Sequence, residues 1–282
     1  MSRARPALVT ALVCSALAAP AAAKGKRQEL RLREPSPLAS TAALRERLGD
    51  AVAPTRSELD LGQERFSVYL PTNFAARGRP LGLLVWISPG GTGHVPRAWE
   101  PVCDRERLIA IGPEGAFNQV PTPDRIALAL TAAHGARQRW PAIDPERVYV
   151  GGFSGGGNMA CWLQLHYPEV FRGALVFAGC DAYRPIPVPD RPGAHWRGTI
   201  PRPSEERLAL ARTRGWAFLV GERDEEVPKV MVGAVAEALR GDGFGRVSFL
   251  PIPDHAHTLP DAGWLERGLK ALAAEPGQSP RK

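Results

Sequence analysis

The sequence predicts an α/β domain in which one mostly parallel sheet carries helices on both faces, and three observations lead there. Near-continuous apolar runs of strand length recur at Leu81–Ile87, Leu108–Ile111, Val148–Val150, Ala174–Ala178, Trp216–Val220 and Val247–Leu250. A strand covered on both faces has no polar side to show, so it reads this way. Helix-length segments lie between the runs, around Ala98–Arg107, Arg125–Arg139, Asn158–Tyr167, Pro228–Leu239 and Ala262–Ala274, and such alternation builds parallel crossovers. Finally, 282 residues with 44% hydrophobic and 23% charged content suffice for one such domain and its core, and they exclude wholesale disorder.

In chain order, the first 23 residues have the shape of a signal peptide. Arg3 and Arg5 precede an apolar run from Ala7 to Ala19, and Ala21-Ala22-Ala23 offers a small-residue cleavage site before Lys24. Export to the periplasm or medium is therefore expected. The run ends at Pro20, short of the roughly 20 apolar residues a spanning helix needs, so no stable membrane insertion is expected after its removal. Cys14 lies inside the run behind Val13 and does not fit a lipid-modified cysteine.

The charged, Pro-containing stretch 24–40 reads as a linker. The domain should then span 41–275, with 276–282 as a tail. Its first element is a helix over Thr41–Leu48, capped by Ser40 and stopped by Gly49. Phe66, Val68 and Leu70 alternate as in a half-buried strand. Asp181–Ser204 holds six prolines and little periodicity, which predicts an irregular excursion beyond the carboxyl end of the Ala174–Ala178 strand. Ligands bind at that edge of open parallel sheets.

The net charge of +7 would permit an anionic partner, but only five of the 36 basic residues are Lys. The arginines are mixed with acids, as in Arg45-Glu46-Arg47 and Arg105-Glu106-Arg107. A mixed solvated surface and no nucleic-acid partner are expected. Past the leader, Cys103, Cys161 and Cys180 remain. They allow either one disulfide, in three possible pairings, or buried free thiols.

The sharpest chemical signal is Gly152-Phe153-Ser154-Gly155-Gly156, which follows one predicted strand and precedes a helix. A serine on a tight strand-to-helix turn needs neighbours without bulk, and Gly152 and Gly156 supply them. The turn exposes the hydroxyl, the helix amino end favours negative charge, and the Gly155 amide is placed to bind an oxyanion. A phosphate-binding loop would need a Gly-Lys-Ser/Thr ending, which is absent here. An ordinary serine is a weak nucleophile and requires a base oriented by a third group.

Asp224 follows the Trp216–Val220 strand and is the candidate acid, with Glu222, Glu225, Glu226 and Asp181 as rivals. For the base, His257 lies on the loop after Val247–Leu250, with His255 as its competitor. The His-x-His spacing has no carboxylate-histidine set to complete a metal site, so neither metal nor other cofactor is expected. A second oxyanion donor should come from Ser88-Pro89-Gly90-Gly91-Thr92-Gly93, through the Gly91 or Thr92 amide. Phe153, His94 and Trp196 are candidate substrate contacts, and Trp99 and Phe117 either line a pocket or pack.

The run Ile143–Ala160, with Tyr167-Pro168-Glu169-Val170-Phe171 and Ala178-Gly179 after it, resembles the polyhydroxybutyrate depolymerase and feruloyl/acetylxylan esterase group of α/β-hydrolases. His257-Thr258-Leu259-Pro260 and Gly221-x-x-Asp224 are similar to that group's histidine and acid segments. The likeness runs from about Glu64 to the last helix and is strongest around Ser154. It implies an α/β-hydrolase fold and a secreted serine esterase that acts on a small or oligomeric ester without cofactor. The chain departs from the group at Pro89-Gly90, where His-Gly is usual. A peptidase of the same fold, or a binding protein that kept the fold and lost activity, are the other readings.

Overall fold

The computed structural model describes residues 25–49, 59–72, 74 and 80–273, so the expected leader and tail lie outside the described residues. Lys26–Leu30, expected within a linker, is an edge strand, β1. It pairs antiparallel with β2 (Phe66–Leu70), from Lys26 opposite Leu70 to Leu30 opposite Phe66. Its side chains carry almost no apolar periodicity because an edge strand is held by ladder hydrogen bonds rather than by a buried face. The Arg27–Glu100 ion pair at 2.5 Å ties it to the body of the domain. Residues beyond it are docked too, since the Ser36 amide donates to Thr131 Oγ1 at 3.2 Å. Helix α1 (Thr41–Leu48) follows, with Ser40 Oγ accepting from the Ala43 amide at 3.3 Å and Gly49 at its end.

The main sheet adds β3 (Leu81–Ile87), β4 (Leu108–Pro113), β5 (Ile143–Phe153), β6 (Gly173–Phe177), β9 (Gly215–Gly221) and β10 (Arg246–Ile252). The order is β1-β2-β4-β3-β5-β6-β9-β10, antiparallel at β1 and β2 and parallel from β4 to β10. Because side chains alternate along a strand, β3 feeds two cores. Leu83, Val85 and Ile87 join α3 (Thr122–Arg139), α4 (Gly155–His166) and α6 (Lys229–Gly241) on one face. Leu84 and Trp86 join α2 (Glu100–Glu106) and α7 (Ala262–Ala273) on the other. Each side chain so buried contributes about 1.5–3 kcal/mol.

Two elements have no strong sequence signal. Helix α5 (Glu205–Arg212) buries only Leu208 and Ala211, too little for a clear 3.6-residue pattern. The Asp181–Ser204 excursion carries a two-residue hairpin, β7 (Ile186–Pro187) with β8 (His195–Trp196). Cys103, Cys161 and Cys180 are all free and buried. Burial pushes the Cys103 and Cys180 thiols up to about 12, which leaves them protonated and unreactive at neutral pH. No helix among the described residues is long and apolar enough to cross a membrane.

His166 at the end of α4 is fully buried, stacked on Trp162, with Nε2 3.0 Å from the Pro201 carbonyl. Desolvation lowers its pKa to about 4. Its stabilising contribution is therefore complete above the unfolded value near 6.5 and is lost as pH falls toward 4. Urea unfolding at pH 7 and pH 4.5 should show the wild type losing about 2 to 3 kcal/mol more than His166→Gln over that interval. Equal losses would contradict it.

Candidate active site

Ser154 stands between the end of β5 and the start of α4, with φ 53° and ψ −122°. Few residues with a side chain adopt this backbone, and it costs about 1–3 kcal/mol. The strain is held in place by the Ser154 amide donating to the Phe177 carbonyl at 2.9 Å and by the Asn158 amide donating to the Ser154 carbonyl at 3.1 Å. The flanking glycines are demanded by close approach. A Cβ on Gly152 would overlap the Gly156 backbone, and one on Gly156 would overlap the Ile87 carbonyl oxygen. Backbone in the middle of a sheet cannot yield, so Gly156→Ala is expected to destabilise the fold by about 3 kcal/mol or more. A denaturation midpoint unchanged from wild type would refute this.

Asp224 and His257 are brought together by two loops sewn to each other. The Glu222 amide donates to the Ile252 carbonyl and the Arg223 amide to the His255 carbonyl, both at 2.9 Å. Asp224, whose side chain has no exposed surface, takes His257 Nδ1 at Oδ2 over 2.8 Å. Its Oδ1 accepts from the Glu226 amide at 3.1 Å and the Val227 amide at 2.8 Å. The His257 ring packs on Phe153, the residue before Ser154, at 4.9 Å between centroids. Phe153 thus holds the imidazole beside the serine turn. The loop itself is anchored from below: Trp99, fully buried, donates its indole N–H to the Pro260 carbonyl at 2.9 Å, so Trp99 packs rather than lining a pocket.

The rival residues are otherwise engaged. Asp181 accepts from Trp162 Nε1 at 2.9 Å and from the Thr199 amide at 3.0 Å, which organises the excursion. Glu222 pairs with Lys229 at 2.9 Å. His255 Nε2 lies 2.9 Å from the Thr258 carbonyl. Glu225 is exposed to solvent. Glu226 is mostly exposed and reaches His257 Nε2 at 3.6 Å, the nitrogen that a serine hydroxyl must meet.

The loop after β3 bends at Gly91, whose φ is 73°. Thr92 is exposed, with Oγ1 3.3 Å from Ser88 Oγ, and its carbonyl accepts from the His94 amide at 2.6 Å. Burial and the neighbouring Arg27 lower the His94 pKa. Trp196 pairs in register with Ile186 and packs against the core beneath the excursion; the aromatic ring that meets His257 is that of Phe153.

Two residues at this site had no sequence signal. The Asn118 amide N–H donates to the Pro89 carbonyl at 3.1 Å, joining the loop after β4 to the loop after β3. Arg125, nearly fully buried on α3, donates through Nε to the Ala116 carbonyl at 3.1 Å. Through Nη2 it reaches the Gly155 carbonyl at 3.2 Å and Asn118 Oδ1 at 3.4 Å. Burial lowers its pKa to about 10, so the guanidinium stays charged at neutral pH. An Asn in a loop and an Arg on a helix are ordinary letters, which is why neither stands out by pattern. Among the described residues, no group of three His, Cys, Asp or Glu is gathered as for a metal ion.

No family model matches the chain, and no curated protein matches it in sequence. Solved structures do match. The dipeptidyl aminopeptidase IV candidate of Bacteroides ovatus aligns with TM-score 0.57 at 13% identity, over 88% of this chain and 36% of that one. A puromycin-hydrolysing peptidase of Mycobacterium tuberculosis aligns with TM-score 0.51 at 22% identity, over 76% of this chain and 38% of that one. The apo form of Thermogutta terrifontis esterase 2 gives TM-score 0.50 at 19% identity, over 75% and 88% of the two chains. This chain spans little more than a third of the two peptidases it matches. At these identities the likeness is one of fold, and with the eight-strand order it establishes that the chain has the α/β-hydrolase fold.

Proposed function

We propose that the chain is an exported serine hydrolase of carboxylic esters. The observation that carries this reading is the strained Ser154 turn with the Asp224-bound imidazole of His257 packed against its preceding residue. In the proposed cycle, Ser154 Oγ attacks the ester carbonyl while His257 Nε2 takes the hydroxyl proton. The tetrahedral oxyanion is received by the Gly155 amide and by the Gly91 or Thr92 amide. Its collapse breaks the bond to the alkoxy oxygen, which leaves as alcohol with the proton from His257. Water activated by the same nitrogen then frees the acid from the acyl-enzyme. Asp224 holds the ring through Nδ1 and stabilises the imidazolium.

The resemblance around Ser154 and His257-Thr258-Leu259-Pro260 to polyhydroxybutyrate depolymerases and feruloyl/acetylxylan esterases supports an ester over an amide substrate. The leader-shaped first 23 residues support export. A fluorophosphonate probe is expected to label Ser154, located by peptide mass mapping. In a series of p-nitrophenyl esters of rising acyl length, the short members should turn over faster than matched p-nitroanilides. Preference for anilides would move the assignment to a peptidase, and a folded sample that takes no label would overturn the enzyme reading.

A further inference from the structure

We infer that the side-chain amide of Asn118 is a catalytic hydrogen-bond donor to the oxyanion, an inference that rests on the serine hydrolase reading. Asn118 occupies the gap between the two segments expected to supply the backbone donors. Its main-chain N–H is bound to the Pro89 carbonyl of one segment at 3.1 Å. Its side chain lies against Gly155 of the other: a Cβ on Gly155 would overlap Asn118 Oδ1 and come within 3.0 Å of Nδ2. Gly155 is bare where the amide sits. The same loop supports Gly91, where a Cβ would stand 2.9 Å from the Glu114 carbonyl and 3.2 Å from the Phe117 ring.

Arg125 decides which way the amide faces. Its Nη2 is a donor only, so the atom opposite it at 3.4 Å must be the carbonyl oxygen Oδ1. That leaves Nδ2 on the other side, and among the described residues it has no acceptor. The residue is exposed to solvent. A primary amide held by a buried guanidinium beside the Gly155 amide is therefore a preorganised donor with its acceptor still to come, and a carbonyl oxygen turning into an oxyanion is that acceptor. Arg125 acts through it, as a positioning residue, and brings a positive charge near the developing negative one.

Two variants separate donation from mere support. Asn118→Ala removes the donor and leaves the main-chain bond to Pro89. Asn118→Asp keeps the shape, strengthens the contact with Arg125, and replaces the donor by a negative acceptor. On the p-nitrophenyl ester that the wild type hydrolyses best, both variants should lose about 100-fold in kcat. KM should stay within a few-fold, and affinity for a trifluoromethyl ketone, which forms a tetrahedral adduct, should fall in parallel. Thermal unfolding should show both variants folded.

The Asn118 side chain is not a donor if Asn118→Asp retains wild-type kcat, or if the loss in either variant appears only in KM. Fluorophosphonate labelling of the wild type at Ser154 distinguishes this failure from failure of the parent reading. A labelled, active wild type with unaffected variants overturns the Asn118 role alone, whereas a wild type without Ser154-dependent turnover overturns both.

Discussion

Ser154→Ala is expected to lower kcat for ester hydrolysis by about 10⁶-fold while leaving the protein folded. Without Oγ there is no acyl-enzyme, and what remains is attack by water on a carbonyl polarised by the oxyanion donors. The loss is large because nucleophile and base act as one unit, so removing either disables both. Stability should hardly change, because no described residue hydrogen-bonds the Ser154 hydroxyl and alanine meets the same backbone strain at φ 53°. Ser154→Gly supplies the complement: it should be equally inactive yet more stable by about 1 kcal/mol, since only glycine adopts that backbone without cost. Steady-state kinetics with urea unfolding of the three proteins tests both halves. An alanine variant that keeps a tenth of the activity would place the nucleophile elsewhere.

Asp224→Asn should cost about 10⁴-fold in kcat, and the reason is specific to this site. Oδ1 of Asp224 faces two backbone donors, the Glu226 and Val227 amides. In the variant those donors select the oxygen, so the new NH2 must occupy the Oδ2 position, 2.8 Å from His257 Nδ1. A donor there forces Nδ1 to accept and puts the imidazole proton on Nε2. That nitrogen then has no lone pair with which to take the proton of Ser154. The variant should remain folded, with its ground-state hydrogen bonds still satisfied. The checks are the pH dependence of kcat/KM and the imidazole proton resonances, which should move to the Nε2–H tautomer. A loss under about tenfold would exclude Asp224 as the orienting acid.

These effects trace to positions that were unequally legible in the sequence. The serine turn was legible because its requirements are local. Gly152 and Gly156 must both be bare for the strand and helix to meet, and the letters stand within five residues. Asp224 and His257 were visible as residues just beyond strand ends, but so were Asp181, Glu222, Glu225, Glu226 and His255. Nothing in their order distinguishes them. The choice comes from burial: Asp224 has no exposed side-chain surface and two amides on one oxygen, whereas Asp181 is taken by Trp162 and Thr199.

Half-exposed elements were the harder ones. Strand β1 and helix α5 bury so few side chains that periodicity says little, and it is β1's partner strand together with contacts such as Arg27–Glu100 that shows its segment to be part of the domain. Asn118 and Arg125 stand seven residues apart in a loop and a helix, and neither is unusual there. They matter because the parallel order places β4 beside β3 and β3 beside β5, which carries the loop after β4 to the start of α4.

By itself the sequence determined the alternation of strands and helices, the apolar runs that demand burial on both faces, and the glycine-flanked turn that bares Ser154. Each of these follows from short-range sterics or from the period of side chains along a strand or helix. Only the tertiary structure decided which carboxylate meets which imidazole, that Lys26–Leu30 belongs to the sheet, and that Asn118 lies against Gly155 with Arg125 behind it. Those outcomes depend on where distant segments come to rest, and that is set by the register of the whole sheet rather than by any stretch of it.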